Sequence, residues 1–320
     1  MKINWRATTG PQSEFMRNAF SKFLYDSLKK KHEIYLISGD LGFAAFDELR
    51  EEFPDSFINS GVAEQSMISI GTGMALEGKE VYCYSILPFA AYRPFEQIRI
   101  ACYNKAPIRV VGMGVGIDYD LAGNTHFGLE DIQVITSLPN ITVLSPCDEK
   151  EVEILLSQIS GIKNPVYLRL SKSSDNSVHS MHDRIRLGEP LKVRGDDDKQ
   201  AEIAIVSTGV MTKTAMEVAD RLDASGRECD VWHIHTVKPC NYGSMVNSLK
   251  KAKTVVTIEE NTGGFTQIVS SWMSTSGASA KVVPFTLPDD FGHTVGKKKW
   301  MLEQMGLSPE RIYDKLLKQL

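Results

Sequence analysis

The chain has 320 residues, enough for two domains that each bury a core of their own. A hydrophobic content of 42% and a charged content of 24% are those of an ordinary globular protein and exclude low-complexity and fibrous classes. A formal net charge of −4 gives no electrostatic reason for a nucleic acid or an anionic membrane as partner.

Strand-like apolar runs alternate with amphipathic helical stretches, the pattern of a parallel sheet covered by helices. Residues Glu14 to Lys30 carry Phe15, Ala19, Phe23 and Leu24 at helical spacing, and Ile34 to Ser38 follows as a buried strand. Strands are expected again at Val81 to Tyr84, Ile108 to Val111, Ile141 to Leu144 and Val166 to Leu170. Helices are expected between them at Pro94 to Tyr103, Gly128 to Ser137 and Glu149 to Ile159. The stretch from Ser171 to Gln200 is polar, with the acidic cluster Asp196-Asp197-Asp198, and reads as a linker. A second α/β series then runs through strands at Ala201 to Ser207, Cys229 to His235, Thr254 to Glu259 and Lys281 to Phe285. Its helices are expected at Thr212 to Ser225, Tyr242 to Ala252, after Gly263-Gly264-Phe265, and at Ser308 to Leu320. The expected organisation is a first domain over 1–175, a linker over 176–200 and a second domain over 201–320.

The five cysteines are widely spaced and form no C-x-x-C pair, so neither a disulfide framework nor a zinc site is suggested. His233 and His235 alternate on a strand and lack a third ligand at a metal-binding spacing, so they read as packed or solvated and no metal ligand is named. The N-terminal Met1-Lys2-Ile3-Asn4-Trp5-Arg6 has no apolar run of a signal peptide, and no stretch approaches the length of a membrane span. A cytoplasmic protein is expected. Gly112-Met113-Gly114-Val115-Gly116 follows a strand, yet Ile117 stands near where the third glycine of a dinucleotide fingerprint would fall, so the glycines read as a tight backbone turn.

Glu64 stands in Ile58-Asn59-Ser60-Gly61-Val62-Ala63-Glu64-Gln65, at the mouth of a helix rich in small residues. A lone carboxylate there is ordinarily a partner of the helix dipole. Downstream lie Phe89-Ala90-Ala91-Tyr92-Arg93-Pro94-Phe95-Glu96-Gln97-Ile98-Arg99, then Gly123-Asn124-Thr125-His126 with Gly128-Leu129-Glu130-Asp131, then Ser145-Pro146-Cys147-Asp148 and Leu168-Arg169-Leu170-Ser171-Lys172. Each segment is unspecific alone. In this order they resemble the pyrimidine-binding and C-terminal domains of transketolase-type, thiamine-diphosphate-dependent enzymes, over nearly the whole chain.

The resemblance implies two doubly wound α/β domains, with the second chiefly architectural. In that family thiamine diphosphate carries the carbon–carbon chemistry. The glutamate matching Glu64 hydrogen-bonds N1′ of its aminopyrimidine, and an aromatic side chain stacks on that ring, worth about 0.5 to 1.5 kcal/mol beyond area burial. Phe89 and Tyr92 are the candidates for the stack, with Phe95 third. His126 matches a histidine that contacts substrate hydroxyls and assists proton transfer, and Arg17 and Lys172 match basic residues that contact a substrate phosphate. Catalytic roles are therefore expected for Glu64 and His126.

Two departures bear on the substrate. Ala122 stands where relatives carry an acidic residue and Gly114 where they carry a histidine, both of which read the acceptor sugar. Asp118 and Asp120 are nearby carboxylates that could replace the missing one. The family's diphosphate and Mg²⁺ site, a Gly-Asp-Gly sequence with a downstream Asn, is also missing: Gly39-Asp40 is followed by Leu41, and Gly195-Asp196 by Asp197. A separate N-terminal transketolase-type subunit is therefore the expected partner, holding Mg²⁺ and the diphosphate, with self-association through both domains of this chain. The expected reaction is transfer of a two-carbon ketol unit between sugars. Alternatives are a 1-deoxyxylulose-5-phosphate-synthase-like subunit, the β subunit of a 2-oxo acid dehydrogenase, and an inactive scaffold. The presence of Glu64, Phe89, Tyr92 and His126 together speaks against the last.

Overall fold

The computed structural model describes residues 16–172, 177–196 and 201–320; Glu14 and Phe15 of the expected first helix, and Asp197 and Asp198 of the acidic cluster, lie outside them. Ala19, Phe20 and Leu24 bury one face of α1 (Met16–Lys29), and the apolar run after it becomes β1 (Ile34–Ser38). There follow α2 (Asp47–Glu52), β2 (Phe57–Asn59), α3 (Glu64–Leu76), β3 (Glu80–Ile86), α4 (Leu87–Ala91), α5 (Phe95–Asn104), β4 (Ile108–Met113), α6 (Asp131–Thr136), β5 (Thr142–Leu144), α7 (Glu149–Ile159) and β6 (Val166–Leu170). These strands pair in the order β5-β6-β4-β3-β1-β2, all parallel. The inner strands read as apolar runs rather than alternations because helices cover both sheet faces. Strand order reverses at β1, which has β2 on one side and β3 on the other. The carboxyl ends of β1 and β3 therefore frame the crevice in which such sheets bind ligands.

The second unit comprises β7 (Leu191–Arg194), β8 (Ile203–Ser207), α8 (Met211–Ala224), β9 (Cys229–His233), β10 (Thr236–Lys238), α9 (Val246–Lys251), β11 (Thr254–Ile258), α10 (Gly264–Ser276), β12 (Lys281–Phe285), α11 (Lys298–Gln304) and α12 (Pro309–Leu317). Its sheet runs β12-β11-β8-β9-β7, parallel except for β7. Two doubly wound α/β domains are thus present, as expected. Three strands differ from the sequence reading, the first being β2, a short edge strand beside β1 where none was expected. Leu191–Arg194, expected in the linker, pairs antiparallel with β9 as an edge strand. The strand expected over Cys229 to His235 ends at His233 as β9 of the second sheet, and β10, just beyond its expected end, crosses over and pairs antiparallel with β5 of the first. Lys238 fixes that crossover by donating from Nζ to the carbonyls of Thr136 (2.7 Å) and Leu138 (2.6 Å).

A buried polar network also joins the domains. Arg169 donates to both oxygens of Asp131 (2.6 and 3.0 Å), to Ser145 Oγ (2.9 Å) and to Asn261 Oδ1 (3.0 Å), and Asn261 and Tyr167 donate to Asp131 in turn. Each charge has its partners, the condition under which a buried ion pair is tolerated. Among the described residues no helix is long and apolar enough to cross a membrane.

Candidate functional site

Glu64 is the first residue of α3, only 3% exposed, and points into the crevice at the strand-order reversal. Ser85 at the end of β3 donates to its Oε1 (3.3 Å), and a Cβ at Gly39, just past β1, would lie within ordinary contact of both side chains. Arg93 Nη1 donates to both carboxylate oxygens of Glu64, at 3.0 and 3.1 Å. The same guanidinium lies over the Phe89 ring, 3.8 Å from its centroid. One planar cation therefore stacks on Phe89 and hydrogen-bonds Glu64 at once. An aminopyrimidine ring makes the same two demands, a flat face and a donor edge, so Glu64 and Phe89 fit that group. Arg93 is 45% exposed and has a route outward.

The aromatic candidates separate. Phe89 also meets His126 edge to face at 5.1 Å. Tyr92 is turned elsewhere: its hydroxyl donates to Glu130 Oε2 (2.8 Å) and accepts from the Glu130 N–H (3.1 Å), which ties α4 to the start of α6. Phe95 opens α5 with its ring packed against the core.

His126 is held by Thr125 Oγ1, 2.8 Å from Nδ1, and lies 5.7 Å from the Tyr119 ring. Lys172 Nζ stands 4.3 Å from the centroid of that ring. Burial raises the Tyr119 pKa to about 12, Asp118 adds to the rise, and the nearby charge of Arg17 opposes it. Arg17, Tyr119, Lys172 and His126 therefore share one region. The Arg17 Nε is buried without a hydrogen-bond partner. Gly114 explains the tyrosine: at φ +93° its Cβ position lies 2.1 Å from the Tyr119 ring, so the ring fills the space a side chain at 114 would take.

Asp118 does not replace the missing acceptor-reading carboxylate. It is buried, accepts from Ser171 Oγ (2.8 Å) and the Lys172 N–H (2.8 Å), and takes Lys298 Nζ at 2.5 Å. Asp120 accepts from the Lys298 N–H (2.7 Å) with Lys297 Nζ 3.7 Å away. Both carboxylates are engaged by the start of α11. Glu260 joins them, accepting from the Ile117 N–H (2.9 Å) and pairing with Lys298 at 2.7 Å. Burial raises the Glu260 pKa, an effect Lys298 opposes. Asp40, the acid of the incomplete Gly-Asp-Gly, accepts from Asn59 Nδ2 (2.9 Å) within its own domain.

Sequence reasoning missed four participants: Arg93, Ser85, Tyr119 and Lys298. Arg93 was quoted inside a motif, but its partnership with Glu64 spans 29 positions and depends on how α4 ends. The others carry no periodicity signal.

A carboxylate at the reversal point of a parallel sheet, flanked by an aromatic platform, defines the class: α/β chains whose ligand sits at the carboxyl ends of the strands. Comparison with known proteins makes this specific. Residues 14–176 match the transketolase pyrimidine-binding domain and residues 192–312 the transketolase C-terminal domain. The chain belongs to the transketolase family. It is 28% identical over 313 residues to a putative transketolase C-terminal section from Methanocaldococcus jannaschii, covering 95% of this chain and 96% of that one. It is also 28% identical to a 6-deoxy-6-sulfo-D-fructose transketolase subunit from Clostridium sp. (strain MSTE9), covering 94% and 93%. A solved structure described as a split gene transketolase, inactive beta4 tetramer, superposes with a TM-score of 0.84 at 28% identity, over 95% of this chain and 98% of the other.

Proposed function

We propose that this chain is the pyrimidine-binding subunit of a two-subunit, thiamine-diphosphate-dependent transketolase that moves a two-carbon ketol unit between sugars. The observation that carries the reading is the Arg93 guanidinium seated on Phe89 and Glu64, which outlines a slot for a flat ring with a donor edge. Thiamine diphosphate, when bound, supplies the nucleophilic carbon for carbon–carbon cleavage and formation. Glu64 holds a proton at N1′ of the pyrimidine, with Ser85 orienting the carboxyl. Phe89 gives the ring its stacking face. His126, oriented by Thr125, offers its other nitrogen to substrate hydroxyls as donor or acceptor. Arg17 and Lys172 flank Tyr119 and receive an anionic terminus of the sugar, a phosphate or a sulfonate.

A separately encoded subunit supplies the Mg²⁺ and diphosphate contacts, since neither incomplete Gly-Asp sequence here can. Exposed apolar side chains support a docked partner: Val62 before α3, Ile70 and Leu76 on it, and Ile100 and Tyr103 on α5, with Tyr103 82% exposed. The acceptor channel is reshaped. Tyr119 over Gly114 gives it an apolar wall, and Asp118 and Asp120 are held by α11, so ribose 5-phosphate leaves hydroxyls unpaired at about 1–3 kcal/mol each.

The test is reconstitution with the subunit that carries Gly-Asp-Gly, measuring kcat/KM for a panel of ketose donors and aldehyde acceptors, with pyruvate as an alternative donor. Ketose-dependent transfer to an acceptor other than ribose 5-phosphate is expected. Pyruvate consumption without ketose turnover would overturn the ketol-transfer reading, and ribose 5-phosphate as best acceptor would overturn the channel argument.

A further inference from the structure

A second constellation lies away from Glu64, where three chain segments meet. Cys147 and Glu151 come from the loop after β5 and the first turn of α7, His179 from the segment between the domains, and His233 and His235 from the end of β9. Ligand atoms of Cys147, Glu151 and His233 all lie within 4.8 Å of one another, and so do those of Cys147, Asp148 and His179. Cys147, Glu151, His233 and His235 are buried. The cluster is not a closed hydrogen-bond network. Glu151 Oε1, His179 Nε2 and His235 Nε2 are buried without partners, although Glu151 is fully enclosed. A buried polar atom left unpaired in this way costs about 1–3 kcal/mol, so Glu151 Oε1 and His179 Nε2, which belong to the two ligand groups, call for a group that is missing from a protein-only network.

We propose that Cys147, Glu151 and His233 form a Zn²⁺ site that joins the two domains, and that His179, which now shares the 4.8 Å span with Cys147 and Asp148 but not with Glu151 or His233, turns in as its fourth ligand. The donor set is one thiolate, one carboxylate and two imidazoles, which suits four-coordinate zinc. Its charges cancel those of the ion, so the buried centre is neutral. Ligand atoms around tetrahedral zinc stand roughly 3.5 Å apart, so Cys147, Glu151 and His233 close by about an ångström from their present span, while His179, its ring centroid 6.2 Å from that of His233, moves further. Binding releases the Cys147 thiol proton to solvent. It also turns His233 Nε2 from Glu151 Oε2, now 2.8 Å away, to the metal. Nδ1 of His233 keeps Thr212 Oγ1 at 2.7 Å as the group that orients the ring. Asp148 is excluded as the fourth ligand because it is already spent on the backbone N–H groups of Glu151 and Val178 and on His182.

The test uses the full chain, reduced and stripped with chelator, then equilibrated with Zn²⁺ or with Co²⁺ as a spectroscopic substitute. One equivalent of Zn²⁺ retained through gel filtration is expected, with a melting temperature about 4 °C higher at a hundredfold excess over Kd. The Co²⁺ form should show thiolate-to-cobalt charge transfer that survives Cys240→Ser and disappears in Cys147→Ser; His179→Gln should weaken retention at least tenfold. No retained metal, or a Co²⁺ spectrum without thiolate character, overturns the proposal. So does a thiolate band that persists in Cys147→Ser. If Cys147→Ser fails to fold, the wild-type and Cys240→Ser spectra and the His179→Gln retention still decide.

Discussion

Replacing Arg93 by Ala should loosen the protein and tighten its site together. Arg93 makes two charge-assisted hydrogen bonds to Glu64 and a cation–π contact with Phe89. Because the arginine is 45% exposed, its ion pair is discounted to about 1 kcal/mol, and the contact over the ring adds about 0.5–1. Docking of Arg93 is therefore worth roughly 1.5–2 kcal/mol. An aminopyrimidine must displace it, so its observed affinity is lowered by the same amount, about 10- to 30-fold. In Arg93→Ala the competitor is gone and Glu64 is left without its cation until ligand arrives. The ligand-free chain should melt about 2–3 °C lower, while the aminopyrimidine fragment of thiamine should bind about 10- to 30-fold more tightly. Both are measurable on this chain alone, by calorimetry and by NMR titration with 4-amino-5-hydroxymethyl-2-methylpyrimidine. Phe89→Leu serves as the control and should weaken fragment binding by about 2- to 12-fold through loss of stacking. Fragment binding by Arg93→Ala that is unchanged within twofold, or weaker, would refute the reasoning, because Arg93 would then not occupy the ring's place.

Four further outcomes follow from the same geometry. Glu64→Gln keeps the side chain's size but loses the carboxyl proton, so the reconstituted enzyme should lose about 10²- to 10⁴-fold in rate with assembly intact by gel filtration; activity within threefold of wild type would leave Glu64 as a helix-end charge. The chain alone should bind thiamine diphosphate with Mg²⁺ weakly in calorimetric titration, and micromolar affinity without a partner would sink the two-subunit reading. Gly114→Ala places a methyl group 2.1 Å from the Tyr119 ring at φ +93°, so it should cost about 1–3 kcal/mol in denaturant unfolding and shift acceptor preference more than donor kcat. Lys298→Met removes the cation between Asp118 and Glu260, two buried acids, and should destabilise the chain by about 3–5 kcal/mol in the same assay; a loss under 1 kcal/mol would mean that water reaches the pair.

How far the sequence could be read depended on whether the signal was local. β1, β4 and β6 are mainly apolar runs, broken in β4 by Arg109 and in β6 by Arg169 but buried along almost their whole length, and each is visible in the sequence as a buried strand. β7 is only Leu191-Lys192-Val193-Arg194, alternating in and out beside a polar stretch, too short to stand apart from a linker. Nothing in Cys229 to Lys238 marks where the chain leaves one sheet for another, because β10 is defined by a partner, β5, more than ninety residues upstream. Glu64 was legible through its motif. Its partners were not, since Ser85 and Arg93 reach it only through the turn from β3 into α4 and α5. The Cys147 cluster was invisible for the same reason: His233 has only His235 beside it in sequence, with no third ligand at a metal-binding spacing, and folding brings it Glu151 from 82 residues away.

The second domain is more than a support for the first. Between β4 and α6 the chain carries Tyr119 and His126, and second-domain residues anchor that loop alongside Ser171, Lys172 and Tyr92 of the first. Glu260 receives the Ile117 N–H, Lys298 holds Asp118 and Asp120, and the Asn124 side chain donates to the Gly292 carbonyl at 2.7 Å. Gly116 is glycine for the same reason, since a Cβ there would lie 2.3 Å from Glu260. The Asp118 and Asp120 carboxylates are drawn back to hold the loop, and the Tyr119 ring fills the space over Gly114. A substitution in α11, remote from Glu64 in sequence, therefore acts on the loop that carries Tyr119 and His126 through Lys298 and the buried Asp118 and Glu260.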